Sequence, residues 1–541
     1  MLISFSLVSL LACKGPPDEP PKTIYVDGEL YSLDLQVITP RDQIIDQLGR
    51  INQLNLVVRQ SNGETSSHTL SGSYAEGNAD NRVIPPLDGA QISLIGSEDN
   101  KIVFHGTSAP VTLTEGELAV PLFVAKNDTI GRLGKLTSPA AFAPLIAIGD
   151  GRYYSFGGTE DGIFGSESST IISRFNLAEP NPTLTPISLT ATLPSQPNGS
   201  GWVTQSGNTI GGNSDKAGQV LLAGGGPVFP TIDDLTLSNV FPSENAYRFD
   251  PLTETILEAG AMNHARFDHR SAVLPSGEVV VTGGFGSTGE PIGSIDIYSP
   301  NTDEWATRSQ ELSSGAVFHA MAQYQDDGIL VCGGLTAEDT PQYSDQCNLI
   351  KTTHEIETAQ PMDQALLFTN LITLADGRVL RTGGLDATDL EHTTFRPDDM
   401  RATSQAAIFY QGEWQNVGQM KNARAMHSTT LLPGGRVLIV GGVSGISSTH
   451  TSREEDYNGL LYDHAEALAC VEIFDPETET FIAVDACLEM KPEGTLPQRT
   501  LLPAVATDPT YGALISGGVG TDLGASVDSA QVFHPSYSFT N

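Results

Sequence analysis

The chain has 541 residues, with 28 Lys and Arg against 65 Asp and Glu, for a net charge of -37. That balance excludes a nucleic-acid binder, because phosphate must be neutralised by Lys and Arg. It fits a solvated surface suited to a salty exterior, or divalent-cation binding by surface carboxylates. No run matches an EF-hand or RTX loop, so calcium stays open and no other cofactor is expected.

Residues 1–22 read as a leader and tether. The apolar run from Met1 to Ala12 is too short to span a bilayer and has the length of a signal h-region. Leu10-Leu11-Ala12-Cys13 is similar to a bacterial lipobox, in which Cys13 is lipidated and becomes the mature N-terminus. No Lys or Arg precedes the apolar run, so the n-region departs from the usual signal, and a buried N-terminal strand is the alternative. Lys14–Lys22 is Pro-rich and reads as an extended tether. The expected place is the cell envelope, with the lipid as the sole membrane contact.

Residues 23–126 show strand runs at Tyr31–Val37, Leu54–Arg59, Ala90–Leu94, Lys101–Phe104 and Leu118–Val124. Polar, turn-rich stretches such as Gln60–Ser67 and Ala75–Arg82 separate them. This pattern predicts a small antiparallel β-sandwich, Ig-like or similar. Asp42–Leu48 has room for one or two helical turns. The segment holds no catalytic constellation and reads as a spacer or adhesion-like module.

Residues 127–541 are organised by a glycine pair that ends a short apolar strand. The copies are Tyr153–Gly158, Val220–Gly225, Val279–Gly284, Ile329–Gly334, Val379–Gly384, Val437–Gly442 and Ala513–Gly518. A period of about fifty residues with insertions is the signature of a propeller. Each pair follows a strand and a turn, such as Leu432-Pro433-Gly434-Gly435. Each precedes a variable loop, a strand ending in an aromatic, as in Ile473-Phe474-Asp475-Pro476, and a fourth strand near Trp305, Trp414 or Phe481.

The repeat resembles the kelch family, and more closely its galactose-oxidase-like branch. Met262–Gly284 and Met420–Gly442 carry the likeness best, and it covers roughly residues 128 to 541. It implies an all-β chain: a seven-bladed kelch-like β-propeller preceded by the small β-sandwich. Thr129–Leu136 resembles the fourth strands Ile256–Met262 and Trp414–Met420. It is therefore expected to close the ring as the outer strand of the last blade and so remove an open edge.

Arg266-x-x-His269, Arg424-x-x-His427 and a lone His319 occur at equivalent blade positions. Three histidines could be taken for metal ligands. Their recurrence within the repeat favours a tie between neighbouring blades. Four cysteines beyond Cys13 fit an exported chain. Cys332 ends the second strand of the fourth blade and Cys347 begins the third. Cys470 and Cys487 flank the turn at Thr478–Glu479 evenly. Folding each hairpin predicts the disulfides Cys332–Cys347 and Cys470–Cys487. Free thiols in a cytosolic protein are the alternative.

Function is sought in the loops after the glycine pairs. The loop Ser444–Ala469 of the sixth blade holds Arg453, Tyr457 and His464, and Asp386–Thr403 of the fifth holds Arg396 and Arg401. In so acidic a chain these arginines are expected to attract an anionic group, with Arg396, Arg401, Arg453, Tyr457 and His464 as ligand-binding residues. Ordinary solvated loops are the alternative. The family resemblance also brings a copper site of two tyrosines, two histidines and a cysteine cross-linked to tyrosine. No tyrosine–histidine set matches here, and sialidase boxes and Gly-x-Ser-x-Gly are absent. The expectation is a cell-surface protein that binds a protein or glycan and is not an enzyme. A carbohydrate-active enzyme (oxidase, epimerase or hydrolase-like) with its site at the channel mouth is the alternative.

Overall fold

The computed structural model describes residues 22–27, 31–40, 43, 53–70, 86–136, 141–159, 169–179, 187–193, 206–211, 214–226, 232–233, 236–237, 242–312, 316–337, 342–386, 401–446, 465–484, 500, 502–519 and 527–536. All regular structure among them is β, and no helix there is long and apolar enough to cross a membrane.

Two sheets form the N-terminal part. One joins Lys22–Asp27, Tyr31–Ile38 and Gly116–Phe123. The other is built from Thr65–Leu70, Gln53–Arg59, Leu87–Glu98, Lys101–Thr107 and Ala125–Lys126, with Val111–Leu113 on Leu87–Glu98. Leu35 and Val37 of the first sheet pack with Leu56, Val58, Ile92 and Leu94 of the second, because alternation puts these apolar side chains on facing surfaces. Two features differ from the sequence reading. Tyr31–Ile38 pairs in parallel with Gly116–Phe123. Between them the chain visits the other sheet, and so long a crossover can bring a strand back in the same direction. Thr65–Leu70 is a strand that begins inside the stretch Gln60–Ser67, which reads as turn. It is a polar edge strand, so no apolar period announces it. Of Asp42–Leu48, only Gln43 lies among the described residues.

Seven four-stranded antiparallel sheets follow among the described residues. Their inner strands are Leu145–Ala147, Ser206–Thr209, Arg270–Val273, Ala320–Tyr324, Asn370–Thr373, Ser428–Leu431 and Ala504–Asp508. We call these sheets one to seven. Each inner strand touches the inner strand of the next sheet, and that of sheet seven touches that of sheet one. The inner strands therefore enclose an axis. The second strand of each sheet is the apolar run before a glycine pair, buried along its length in Val279–Thr282 and Val437–Val440. Such a strand lies between two neighbouring sheets and reads as a continuous apolar run.

The glycine pair has a steric cause. Gly283 (φ 63°) and Gly284 (φ 90°) are in the left-handed region. A Cβ on Gly283 would collide with the Ala316 carbonyl of sheet four, and one on Gly284 would lie 2.5 Å from the Phe267 carbonyl. The pair lets the chain turn against two backbones at once.

Thr129–Lys135 pairs antiparallel with Ser529–His534, from Thr129↔His534 to Lys135↔Ser529, as the outer strand of sheet seven. Ile130 and Leu133 are buried there. Arg436 of sheet six donates to Asp128 Oδ1 at 2.8 Å and to the Ser536 carbonyl at 3.3 Å, which ties both strands to the neighbouring sheet. Ile38, Phe123 and Ala125 of the sandwich share one core with Leu133, Leu136 and Tyr153, so the two parts pack without a gap.

Cys332 and Cys347 are register partners and are disulfide-bonded, closing a separation of 15 residues. In the chain-entropy model such a loop stabilises by about 3 kcal/mol. Cys470 is also disulfide-bonded. Its expected partner Cys487 lies outside the described residues, as does Cys13.

Candidate functional site

The inner strands begin at the same end of the axis at which the glycine pairs sit, since Arg270 pairs with Thr282 and Ser428 with Val440. Just before six of the seven inner strands, among the described residues, one non-glycine residue takes a left-handed backbone. These are Phe142, Asp268, Phe318, Phe368, Met426 and Leu502, with φ between 48° and 60°. The residue ahead of it bridges to the residue after the glycine pair, as in Ala141↔Thr159, Phe267↔Phe285, Val317↔Leu335 and Ala425↔Val443. A left-handed residue costs free energy, so its recurrence around the ring means the surrounding backbone enforces it. Phe142, Phe318, Phe368, Met426 and Leu502 join an apolar collar with Phe267, Phe285, Leu335, Leu385 and Val443 around this end of the axis.

Below the collar lies a cavity of about 180 Å³. Phe368, Met426 and Leu502 line it, with Arg270, Ala320, Met321, Thr369, Asn370, Leu371 and His427. Asn370 donates to the His427 carbonyl at 3.1 Å and accepts from Thr429 at 2.7 Å, so its amide is committed to the wall. Arg270 is the one Lys, Arg, Asp or Glu in the lining, and its side chain is 37% exposed. Its Nη1 lies 3.6 Å from Asp268 Oδ1. Burial pushes the Asp268 carboxyl up to about 6, and Arg270 acts in the opposite direction.

The repeated arginines and histidines have structural work. Arg266 Nη1 donates to the Gly283 carbonyl at 2.7 Å and Nη2 to Asp296 Oδ2 at 2.9 Å. Arg424 makes the same pair of contacts, to Gly441 O at 2.7 Å and Glu472 Oε1 at 2.6 Å. Each arginine therefore satisfies the first carbonyl of its own glycine pair. The histidines reach backward. His319 Nε2 is 2.9 Å from Thr282 Oγ1 of sheet three, and His427 Nε2 is 2.8 Å from Thr382 Oγ1 of sheet five. Burial pushes both imidazoles down to about 3, so they stay neutral.

Of the ligand-binding residues read from sequence, Arg401 alone is described. It is exposed, on the short strand Arg401–Ala402. Arg401 pairs with Asp386 and with Gly445, so the bases of the fifth and sixth loops are hydrogen-bonded together on the collar face. Ala402 packs against the collar. Arg396, Arg453, Tyr457 and His464 lie outside the described residues. Sequence reasoning missed Asp268 and Arg270. The signal was available: superposing the copies places Asp268 over Phe318, Phe368 and Met426, and Arg270 over Ala320, Asn370 and Ser428.

No protein-family model matches this chain, and no curated protein matches it. A solved structure described as a novel fungal alcohol oxidase with catalytic diversity among the AA5 family, in complex with copper, matches with a TM-score of 0.50 and 14% identity. The match covers 74% of this chain and 75% of that one. The chain shares an all-β, propeller-like fold with that structure. The structure of YjhT matches with a TM-score of 0.42 and 12% identity, over 65% of this chain and 98% of that one.

At such identities the likeness is one of fold, and function has to be argued from the site. Copper does not fit the described residues of this ring. Among them no group of three or more His, Cys, Asp or Glu could hold a metal ion. The collar offers carbon side chains at five of its described positions and one carboxyl, Asp268. His319 and His427 are committed to threonines.

Proposed function

We propose that the protein is an exported, lipid-anchored, seven-bladed propeller behind its β-sandwich, and that it binds an acidic glycan on the collar face. The cavity on the axis supports this reading, because Arg270 places a guanidinium in it inside a chain of net charge -37. A guanidinium is a planar donor fork suited to a carboxylate or sulfate, and aromatic side chains offer a face to a sugar ring. The fifth and sixth loops rise on the same face, so Arg396, Arg401, Arg453, Tyr457 and His464 would extend the surface around the mouth. Cys13 would carry the lipid, and mass spectrometry of the mature protein tests that. An N-terminus at lipidated Cys13 is expected, and an intact Met1 would refute the anchor.

The binding test is a glycan array followed by titration at two salt concentrations. Acidic glycans should bind, neutral ones should not, and affinity should fall as salt rises. Retention of neutral glycans alone, or no salt dependence, would overturn the reading. A second reading, a carbohydrate-active enzyme at the same mouth, is favoured by one observation. Asp268 sits at about 6, where a carboxyl can accept and return a proton near neutrality. Release of a sugar product on incubation would decide for it.

A further inference from the structure

We propose that Asp268 and Arg270 are the recognition point for a single terminal uronate ring, whose carboxylate displaces that of Asp268 from the Arg270 guanidinium. The proposal rests on the acidic-glycan reading above and names the ligand class of that site.

Two departures from the repeat coincide in sheet three. The left-handed collar position is apolar at Phe142, Phe318, Phe368, Met426 and Leu502 and carries a carboxyl at Asp268. Two residues on, where other sheets have Ala320, Asn370, Ser428 and Ala504, stands Arg270. If this position served packing alone, an arginine would be a poor choice beside a cavity. The guanidinium is not used up by the protein. Its hydrogen bond among the described residues runs from Nη1 to the His269 carbonyl at 3.4 Å, and its ion pair with Asp268 is long, at 3.6 Å. A guanidinium has five N–H donors, so donors are left for a planar oxyanion.

Size limits the ligand. A cavity of 180 Å³ is smaller than the drug-sized pockets of about 300–1,000 Å³. A site this small suits one terminal ring, and Phe368, Met426 and Leu502 offer it carbon surface.

The pair also sets a pH dependence. Asp268 is held up near 6 by burial, with Arg270 as its charged neighbour. The other ionisable groups described on this side are Arg266, which is paired with Asp296, and the buried histidines His269, His319 and His427, all pushed down so far that they stay neutral. Between pH 7 and 5 Asp268 is thus the group that changes state. Ionised, it holds Arg270 and repels a second carboxylate. Protonated, it no longer attracts Arg270, whose guanidinium can then take the incoming oxyanion. A sugar carboxyl stays ionised down to about pH 3.5, by comparison with α-carboxyl groups. Affinity should therefore rise about tenfold from pH 7 to pH 5, as the neutral fraction of Asp268 does.

The test is calorimetric titration of the full chain with glucuronate and galacturonate at pH 5 and 7. Glucose and galactose serve as neutral matches. Expected are uronate binding about tenfold tighter at pH 5 and no binding of the neutral sugars. Arg270→Gln should lose more than tenfold in affinity at both pH values. Arg270→Lys should keep weakened binding, and Asp268→Asn should bind with no pH slope, each variant being checked by its melting curve. Uronate binding that survives Arg270→Gln, equal binding of the neutral sugars, or an unchanged slope in Asp268→Asn would each overturn the proposal. If acidic glycans bind the array and Arg270→Gln leaves that binding intact, this inference fails and the acidic-glycan reading stands. If no acidic glycan of any size binds, both fail.

Discussion

Replacing Glu472 with glutamine is expected to lower the unfolding free energy by about 3–5 kcal/mol, because it strands a buried guanidinium. Arg424 and Glu472 are both fully buried, with 2.6 Å between Nη2 and Oε1. Glu472 also accepts from the backbone N–H of Lys421 at 2.6 Å and of Asn422 at 3.1 Å, so it anchors the approach to the inner strand of sheet six. Removing the negative charge leaves Arg424 with dipoles alone in a site that burial already makes hostile to a cation. The contrast is Asp528→Asn, which breaks the Lys135–Asp528 pair. Lys135 is 81% exposed there, so the cost should be about 0–1 kcal/mol. Urea midpoints check both. Equal shifts for the two variants would show that the buried pair is no more than a surface contact.

The second large effect concerns the strand that closes the ring of sheets. A chain beginning at Thr137 lacks Thr129–Lys135, whereas one beginning at Asn127 keeps it. The first should melt without a cooperative transition or aggregate, and the second should melt cooperatively. Losing the strand removes the buried side chains of Ile130 and Leu133, at about 1.5–3 kcal/mol each. It also removes the Asp128–Arg436 pair and leaves Ser529–His534 as an open edge that can recruit another chain. Coincident melting curves would show that Thr129–Lys135 is a tether.

How far the sequence could be read depends on whether a residue's partner is nearby in the chain. The glycine pairs, the turns before them and the hairpin cysteines are local, so strand order within a sheet follows from spacing. Cys332 and Cys347 are partners because two consecutive strands place them opposite each other. The N-terminal sheets were less legible. Thr65–Leu70 has no apolar face to betray it, and the parallel pairing of Tyr31–Ile38 with Gly116–Phe123 depends on strands far apart in the chain. The residues at the cavity were not singled out for a related reason. Arginines in long loops attract attention by composition, whereas Asp268 and Arg270 lie inside a repeat that looks like packing.

The sequence alone determined that this chain is all-β and built on a repeated strand ending in glycines. Period, strand length and glycine are properties of short stretches, and backbone sterics act on them locally. Tertiary structure decided which repeated residues face one another. His427 meets Thr382 because neighbouring sheets are inclined around a common axis. Asp268 shares its backbone conformation with Phe318, Phe368 and Met426 because the same left-handed residue recurs sheet after sheet. The cavity beside Arg270 is walled by sheets three to seven. No one repeat encodes it, since a void on an axis exists only once the ring has closed.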